Sequence, residues 1–306
     1  MIEVREHIPL ASLTTFEIGG AARYFVDVRS DEDIREALSW AQEHGMRFIV
    51  FAGGSNVLVP DDGLDALVIH IVGDLYSFKD GMLDSWAGTN LLDAVIAIGT
   101  RGFGGWEKLA GIPGTIGGAI RGNAGAFGSE IKDFTTSVRA LHTQTGEVRD
   151  FSNAECDFSY RHSFFKDHPE WIILRAQISL VSVDPGENAS RITETIAERE
   201  RRHLQNVRAA GSFFMNPTAP QEIVDMFEKE KSVASRESRV PAGWLIEKVG
   251  MKGATVGGAI ASLQHPNYIV NQNNATAQDV RTLAERIKAA VRERFSIELH
   301  EEAAVF

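Results

Sequence analysis

The chain has 306 residues, 43% hydrophobic and 24% charged, enough to bury more than one core and to divide into two or three domains of roughly 100 to 150 residues. Its 31 basic and 42 acidic side chains leave a formal charge of −11, which excludes the broad cationic footprint of a nucleic-acid binder while leaving room for a local phosphate pocket. The single cysteine, Cys156, excludes an internal disulfide or a multi-cysteine metal site; it fits a reducing compartment, and a small buried hydrophobe is its simplest role.

The opening stretch MIEVREHIPLASLTTF carries acidic residues and no apolar run of signal-peptide length. No later segment reaches the roughly 18 apolar residues of a membrane span, so a soluble, cytoplasmic protein is expected. In DEDIREALSWAQE, residues 31–43, Ile34, Leu38 and Ala41 share one helical face, with Ser30 as N-cap and Gly45 as the stop. RFIVF and ALVIHI then read as buried strands. The glycine-bearing turn AGGSNVLV, residues 52–59, lies between them, where a strand end can meet a ligand.

From residue 106 the sequence WEKLAGIPGTIGGAIRGNAGAFGSE is so dense in glycine that it predicts looped backbone rather than a helix or central strand. Residues 136–182 return to strand alternation, with TQTGEV as a hairpin turn and IILRAQISLV as a long strand. A polar helix over 188–205 connects this part to the rest. Beyond it, APQEIVDMFEKE and TAQDVRTLAERIKAAVRERF are amphipathic helices bracketing the glycine-rich strand region MKGATVGGAIASLQHPNYIVN, a small α+β domain. In the last helix Val280, Leu283, Ile287 and Val291 form the apolar stripe.

Two glycine-rich segments can cradle phosphates on bare amides: GGSN (Gly53, Gly54, Ser55, Asn56) and GIPGTIGGAIRGNAG, residues 111–125. Neither is a Walker loop, and neither has the spacing of a nicotinamide-binding Rossmann turn. Taken singly, either segment equally makes tight turns; the pair, with hydroxyls at Ser55 and Thr115 and carboxamides at Asn56 and Asn123, favours a ligand. Arg161, in FSYRHSFF, sits at a strand or strand end, where its guanidinium either holds a carboxylate in bidentate fashion or snorkels over its aromatic neighbours. Glu302 in IELHEEAAVF reads locally as a solvated acid, and the histidines show no metal spacing, so no metal is expected.

RAAGSFFMNP, residues 208–217, places Ser212 between a glycine and two phenylalanines. No G-x-S-x-G elbow surrounds it. A serine hydroxyl is so weak an acid that it can protonate only a strong base such as a carbanion or enolate. Gly211 would let the backbone approach a flat ligand, and Asn216 could bind substrate; a turn or capping serine is the commoner local explanation.

In order along residues 12–306, the segments TTFEIGGAARYF, AGGSNVLV, GIPGTIGGAIRGNAGAFG, YRHSFF, GSFFMNP, PAGWLIEKVGMKG, HPNYIVNQNNATAQDV and LHEEAAVF together resemble the UDP-N-acetylenolpyruvoylglucosamine reductases, the MurB family. The resemblance is to the shorter subtype, which lacks an extra substrate-covering loop. It implies an α+β chain: an FAD-binding fold of the vanillyl-alcohol-oxidase (PCMH) type in two subdomains, residues 1–72 and 73–207, then a substrate domain over 208–298. The tail, 299–306, would return near the active site.

The implied reaction uses NADPH to reduce FAD, which then reduces UDP-N-acetylglucosamine enolpyruvate to UDP-N-acetylmuramate for peptidoglycan synthesis. By resemblance Ser212 is the proton donor, Arg161 binds the substrate carboxylate, and Glu302 helps stabilise the enolate. The flavin contacts would be Gly53, Gly54, Ser55, Asn56, Gly111, Ile112, Pro113, Gly114, Thr115, Gly117, Asn123 and Gly125. Tyr160, Asn216, His265 and Asn267 would contact substrate, with Arg121, Lys248 and Lys252 as candidate cations for its diphosphate. Met215 stands where the family usually carries lysine, and Glu302 rather than Glu301 is a choice of alignment. A monomer without membrane insertion is expected. The competing readings are another FAD-dependent oxidoreductase of the same fold, or a flavin or sugar-nucleotide binding protein without catalysis.

Overall fold

The computed structural model describes residues 1–202 and 206–306. The chain forms two compact units, one of residues 1–8, 22–54 and 65–201, the other of residues 9–21, 55–64 and 202–306.

The first unit holds two sheets. One runs in the order Arg5–Pro9, Ala21–Val28, Leu64–Ile71, Phe48–Phe51, the last two parallel, with Phe48 opposite Leu67. Helix α1, Asp31–Glu43, precedes the edge strand; Ser30 Oγ accepts from the Asp33 amide at 3.1 Å, and Gly45 leaves the helix at a φ of 61°. Ile34, Ala37 and Ala41 are buried, whereas Leu38 is only half-buried. The strand expected from RFIVF lies at the sheet edge, so Val50 stays 36% exposed. A central position, with neighbours on both sides, is what buries ALVIHI.

The second sheet of this unit is antiparallel, in the order Val148–Ser152, Thr135–His142, Trp171–Ser179, Met82–Trp86, Tyr76–Lys79. Helices α2 (Leu91–Gly99), α3 (Ile116–Arg121), the short α4 (Phe164–Asp167) and α5 (Pro185–Arg201) complete it. Its core includes Trp86, Trp106, Phe151 and Leu174, all nearly inaccessible to water. Cys156 is buried in the same core, and that burial pushes its thiol up to about 12, so it is an inert apolar group.

Two expectations are corrected here. The stretch predicted as looped contains α3, because Gly117 lies against Ala87 so closely that a Cβ there would meet the Ala87 Cβ at 2.8 Å; tertiary contact overrides glycine's poor helix propensity. Helix α5 begins at Pro185, three residues ahead of the expected start, because the Asp184 carboxylate accepts from the Glu187 amide at 2.8 Å and proline is tolerated in a first turn. Residues 203–205 of the expected helix lie outside the described residues.

The second unit packs α6 (Gln221–Lys231), α7 (Ala242–Lys248) and α8 (Ala277–Phe295) with a three-stranded antiparallel sheet, Thr255–Val256, Ala259–Ala261 and Ile269–Asn271. Thr276 caps α8 reciprocally with Asp279, and Val280, Leu283, Ile287 and Val291 are all buried, as the stripe predicts. Residues 9–21 and 55–64, expected in the first flavin subdomain, cluster here. Phe16, Ile18 and Leu58 enter this core, Thr15 Oγ1 donates to the Ala209 carbonyl at 2.7 Å, and Asn271 Nδ2 donates to the Phe16 carbonyl at 3.1 Å. The tail strand Ala304–Val305 pairs in parallel with Val57–Leu58.

Candidate functional site

In the first unit the two glycine segments meet backbone to backbone. A Cβ on Gly53 would lie 2.8 Å from Gly114 Cα, so Gly53 admits no side chain. Gly54 and Gly111 are in the left-handed region at φ of 59° and 78°. Around α3 several amides are already bonded: Ile116 to the Thr89 carbonyl, Gly117 to the Ala87 carbonyl and Gly118 to Thr115 Oγ1. Thr115 is therefore a helix cap, and the amides of Gly53 and Gly54, with those of Gly114 and Thr115, have no acceptor among the described residues. Thr89 Oγ1, buried beside this turn, is also unpartnered among the described residues. Bare N–H groups and an orphaned hydroxyl around a cradle that a Cβ would fill fit the pyrophosphate of FAD. Ile112 and Pro113 continue the loop, with the Ile112 amide bonded to Leu109.

Arg161 is not at a strand end as expected. It occupies a two-residue turn closed by reciprocal backbone bonds of 3.1 Å between Ser159 and His162, at a φ of 57°. Non-glycine residues adopt that region only when their surroundings enforce it. The enforcement comes from Asn123, buried and itself left-handed, whose Nδ2 donates to the Ser159 carbonyl at 2.8 Å, and from Lys166 Nζ, which donates to the Arg161 carbonyl at 3.1 Å. The guanidinium donates through Nη2 to the Gly125 carbonyl at 2.9 Å and lies over the Tyr160 ring, 5.3 Å from its centre. Asn123 and Gly125 thus hold Arg161. Arg121, at the end of α3, is exposed, and its carbonyl accepts from Ser163 Oγ.

In the second unit the residues that follow Ser212 form an irregular segment with partners on both sides, including an isolated bridge between Phe214 and Glu301. On one side the Phe213 amide donates to the Asn267 carbonyl at 2.7 Å, and the Asn267 carboxamide both accepts from the Phe214 amide at 3.0 Å and donates to the Phe214 carbonyl at 2.8 Å. On the other side the Glu302 amide donates to the Phe213 carbonyl at 2.8 Å and the Met215 amide to the His300 carbonyl at 2.9 Å. Phe213 and Phe214 are 1% exposed and anchor this segment in the core. Gly211, at a φ of 74°, turns the chain into it, with nothing within 4 Å of where its Cβ would be. Ser212 and Glu302 are half-buried. Asn56 ties the tail from below, its Nδ2 donating to the Glu302 carbonyl at 3.1 Å and its own carbonyl accepting from the Ala304 amide. Ser55 belongs to the same loop, its carbonyl accepting from Thr15 Oγ1 at 3.3 Å.

Asn216 Oδ1 accepts from the Ala242 amide at 3.0 Å and so supports the start of α7. His265 packs edge-on against Tyr268, its Nδ1 is buried with no partner among the described residues, and burial pushes its imidazole pKa down, favouring the neutral ring. Lys248 and Lys252 are paired with Glu230 and Glu247. Among the described residues no cluster of histidine, cysteine or carboxylate side chains could hold a metal ion. The supporting residues Thr15, Asn271 and the holding role of Asn123 carry no local sequence signal, since their bonds join distant segments.

Comparison with known proteins gives the site a context. Residues 22–152 match the FAD binding domain family, and residues 202–306 match the UDP-N-acetylenolpyruvoylglucosamine reductase C-terminal domain. The UDP-N-acetylenolpyruvoylglucosamine reductase of Solibacter usitatus is 35% identical over 301 residues, spanning 98% of this chain and 96% of its own. That of Pseudomonas putida is also 35% identical, over 338 aligned positions covering 100% of this chain and 99% of its own. Among solved structures, the UDP-N-acetylenolpyruvylglucosamine reductase (MurB) from Thermus caldophilus superposes with a TM-score of 0.78 at 30% identity, covering 100% of this chain and 99% of that one.

Proposed function

The chain belongs to the UDP-N-acetylenolpyruvoylglucosamine reductase family, and from that membership we propose which of its residues carry the reaction. It is an FAD-dependent oxidoreductase with an FAD-binding α+β fold, and it reduces UDP-N-acetylglucosamine enolpyruvate in peptidoglycan precursor synthesis with electrons from NADPH.

The observation that carries the residue assignment is the main-chain bond from Glu302 to the residue that follows Ser212. Bound FAD would supply the hydride chemistry that links NADPH to the substrate's enolpyruvyl group. Gly53 and Gly54 hold the cofactor's pyrophosphate through main-chain N–H groups. Arg161 pairs with the substrate carboxylate, its planar fork matching two oxygens at once. Negative charge left on the carbon bearing that carboxylate makes it basic enough to take a proton from Ser212 Oγ. Glu302, carried by the tail, helps stabilise the enolate. By family resemblance Asn216, His265 and Tyr160 are each assigned a contact to the sugar nucleotide.

We assign residues 1–72 and 73–207 to the two flavin-binding subdomains and residues 208–298 to the substrate domain. We also place the enzyme in the cytoplasm as a monomer without nucleic-acid partners. The −11 charge supports the absence of a nucleic-acid partner, and among the described residues no helix is long and apolar enough to cross a membrane.

The test is anaerobic stopped-flow absorbance at the flavin band. NADPH should bleach it and the enolpyruvyl sugar nucleotide should restore it. Bleaching without recovery would point to another acceptor, and a colourless protein would overturn the flavin assignment.

A further inference from the structure

We infer that Asn267 is a positioning residue: it sets the backbone that presents Ser212, instead of contacting the sugar nucleotide. The inference rests on the proton-donor role proposed for Ser212.

Asn267 is 3% exposed, and three of its polar atoms bond the main chain of the two residues that follow Ser212. Its carbonyl takes the Phe213 amide, its Oδ1 takes the Phe214 amide, and its Nδ2 serves the Phe214 carbonyl. The tail takes the complementary groups, the Phe213 carbonyl and the Met215 amide. Every main-chain polar group from the Phe213 amide to the Met215 amide therefore has a partner, and the side chain of Asn267 is the one that covers Phe214. A planar carboxamide is the side-chain group that offers a donor and an acceptor together at this reach. Aspartate would keep the acceptor but set a lone pair against the Phe214 carbonyl; alanine would leave two buried polar groups unpaired.

Asn267 is itself held in place. Ser262 Oγ accepts from the Gln264 and His265 amides at 3.2 and 3.1 Å, and the Tyr268 amide closes on the His265 carbonyl at 2.8 Å. The segment that follows Ser212 is thus oriented by a loop that its own hydrogen bonds hold in shape, which is how a supporting residue confers reactive geometry.

The experiment is a double-mutant cycle on the flavin-loaded protein, with Ser212→Ala, Asn267→Ala and the pair together, measured in each anaerobic half-reaction and by calorimetric titration with UDP. Displacing a reacting group by about 1 Å costs on the order of 100-fold. Asn267→Ala alone should therefore slow flavin reoxidation by about 10- to 100-fold, while flavin reduction by NADPH and UDP affinity change less than about threefold. In the Ser212→Ala background the same change should cost little more, since the group it positions is gone. Losses that multiply in the double variant, or UDP affinity weakened about tenfold or more, would overturn the positioning role and make Asn267 a substrate contact or a general stabiliser. Should Asn267→Ala lose its flavin, Asn267→Asp runs the same cycle. If Ser212→Ala reoxidises at the wild-type rate, the proton-donor role and the inference fall together; if it is slow and the losses multiply, only the inference falls.

Discussion

Glu302 donates its backbone N–H to the carbonyl of Phe213 at 2.8 Å, so the main chain of the tail acid is bonded to the residue that follows Ser212. Two groups 90 positions apart in sequence are thereby held in one register by a main-chain bond, whatever their side chains do.

Ser212→Ala should leave flavin reduction by NADPH close to wild type and slow reoxidation by the enolpyruvyl sugar nucleotide by about 10²- to 10⁴-fold, the usual contribution of a positioned general acid. Separate anaerobic half-reactions check this. An equal loss in both halves would assign Ser212 to structure.

Arg161→Lys should lower kcat/KM for the sugar nucleotide by about 10- to 100-fold, since about 1.5–3 kcal/mol attends a hydrogen bond to a charged group and an ammonium cannot fork onto a carboxylate. The left-handed φ of 57° burdens both residues equally, so the melting temperature should barely move. Steady-state kinetics beside a thermal melt separate the two effects.

Gly53→Ala should weaken flavin retention by about 10- to 100-fold, because its Cβ would fall 2.8 Å from Gly114 Cα and overpacking costs about 1–3 kcal/mol. The ratio of flavin to protein absorbance after purification reports it. Gly211→Ala is the contrast: its Cβ meets nothing within 4 Å, so only the strain of a φ of 74° is felt and the flavin should stay.

Glu155 accepts from the Ser152 amide at 2.9 Å and Ser152 Oγ at 2.7 Å, with Arg149 beside it, and these bonds lower its carboxyl to about 2 from an ordinary 4.5. A depressed acid stabilises the fold above the unfolded value and loses that contribution as pH falls towards the folded one. Glu155→Gln should therefore melt below wild type at pH 7, with the gap closing between pH 4.5 and 2. A gap that does not change with pH would refute the ionised cap.

Helix α1 and the stripe of α8 are readable from sequence because their causes are local: a serine cap, a glycine stop, and apolar side chains at helical spacing. Helix α3 is not, since the reason for Gly117 lies in Ala87, thirty positions upstream. The Arg161 turn is equally hidden, because Asn123 and Lys166 impose it through side-chain bonds that leave no periodic trace. Ser212 was legible as an oddity, but its local surroundings fit a turn as well as a proton donor; family resemblance supplied the role. The asparagines were the least legible. The sequence reads Asn56, Asn123 and Asn267 as ligand contacts, and the main-chain bonds their carboxamides also make join distant segments, so nothing local announces them.

The division of the chain also sets an order of assembly during synthesis. The first unit ends at Arg201, so its glycine cradle and Arg161 turn have all their residues once that point has left the ribosome. The second unit has no such head start: residues 9–21 and 55–64 must wait for partners from 209 onward, and Asn56 reaches Glu302 across 246 positions. Ordering such distant segments is slow, and unfinished surfaces are prone to aggregate. A nascent chain can thus build its flavin cradle early, while Ser212 acquires its full set of neighbours only when the last few residues arrive.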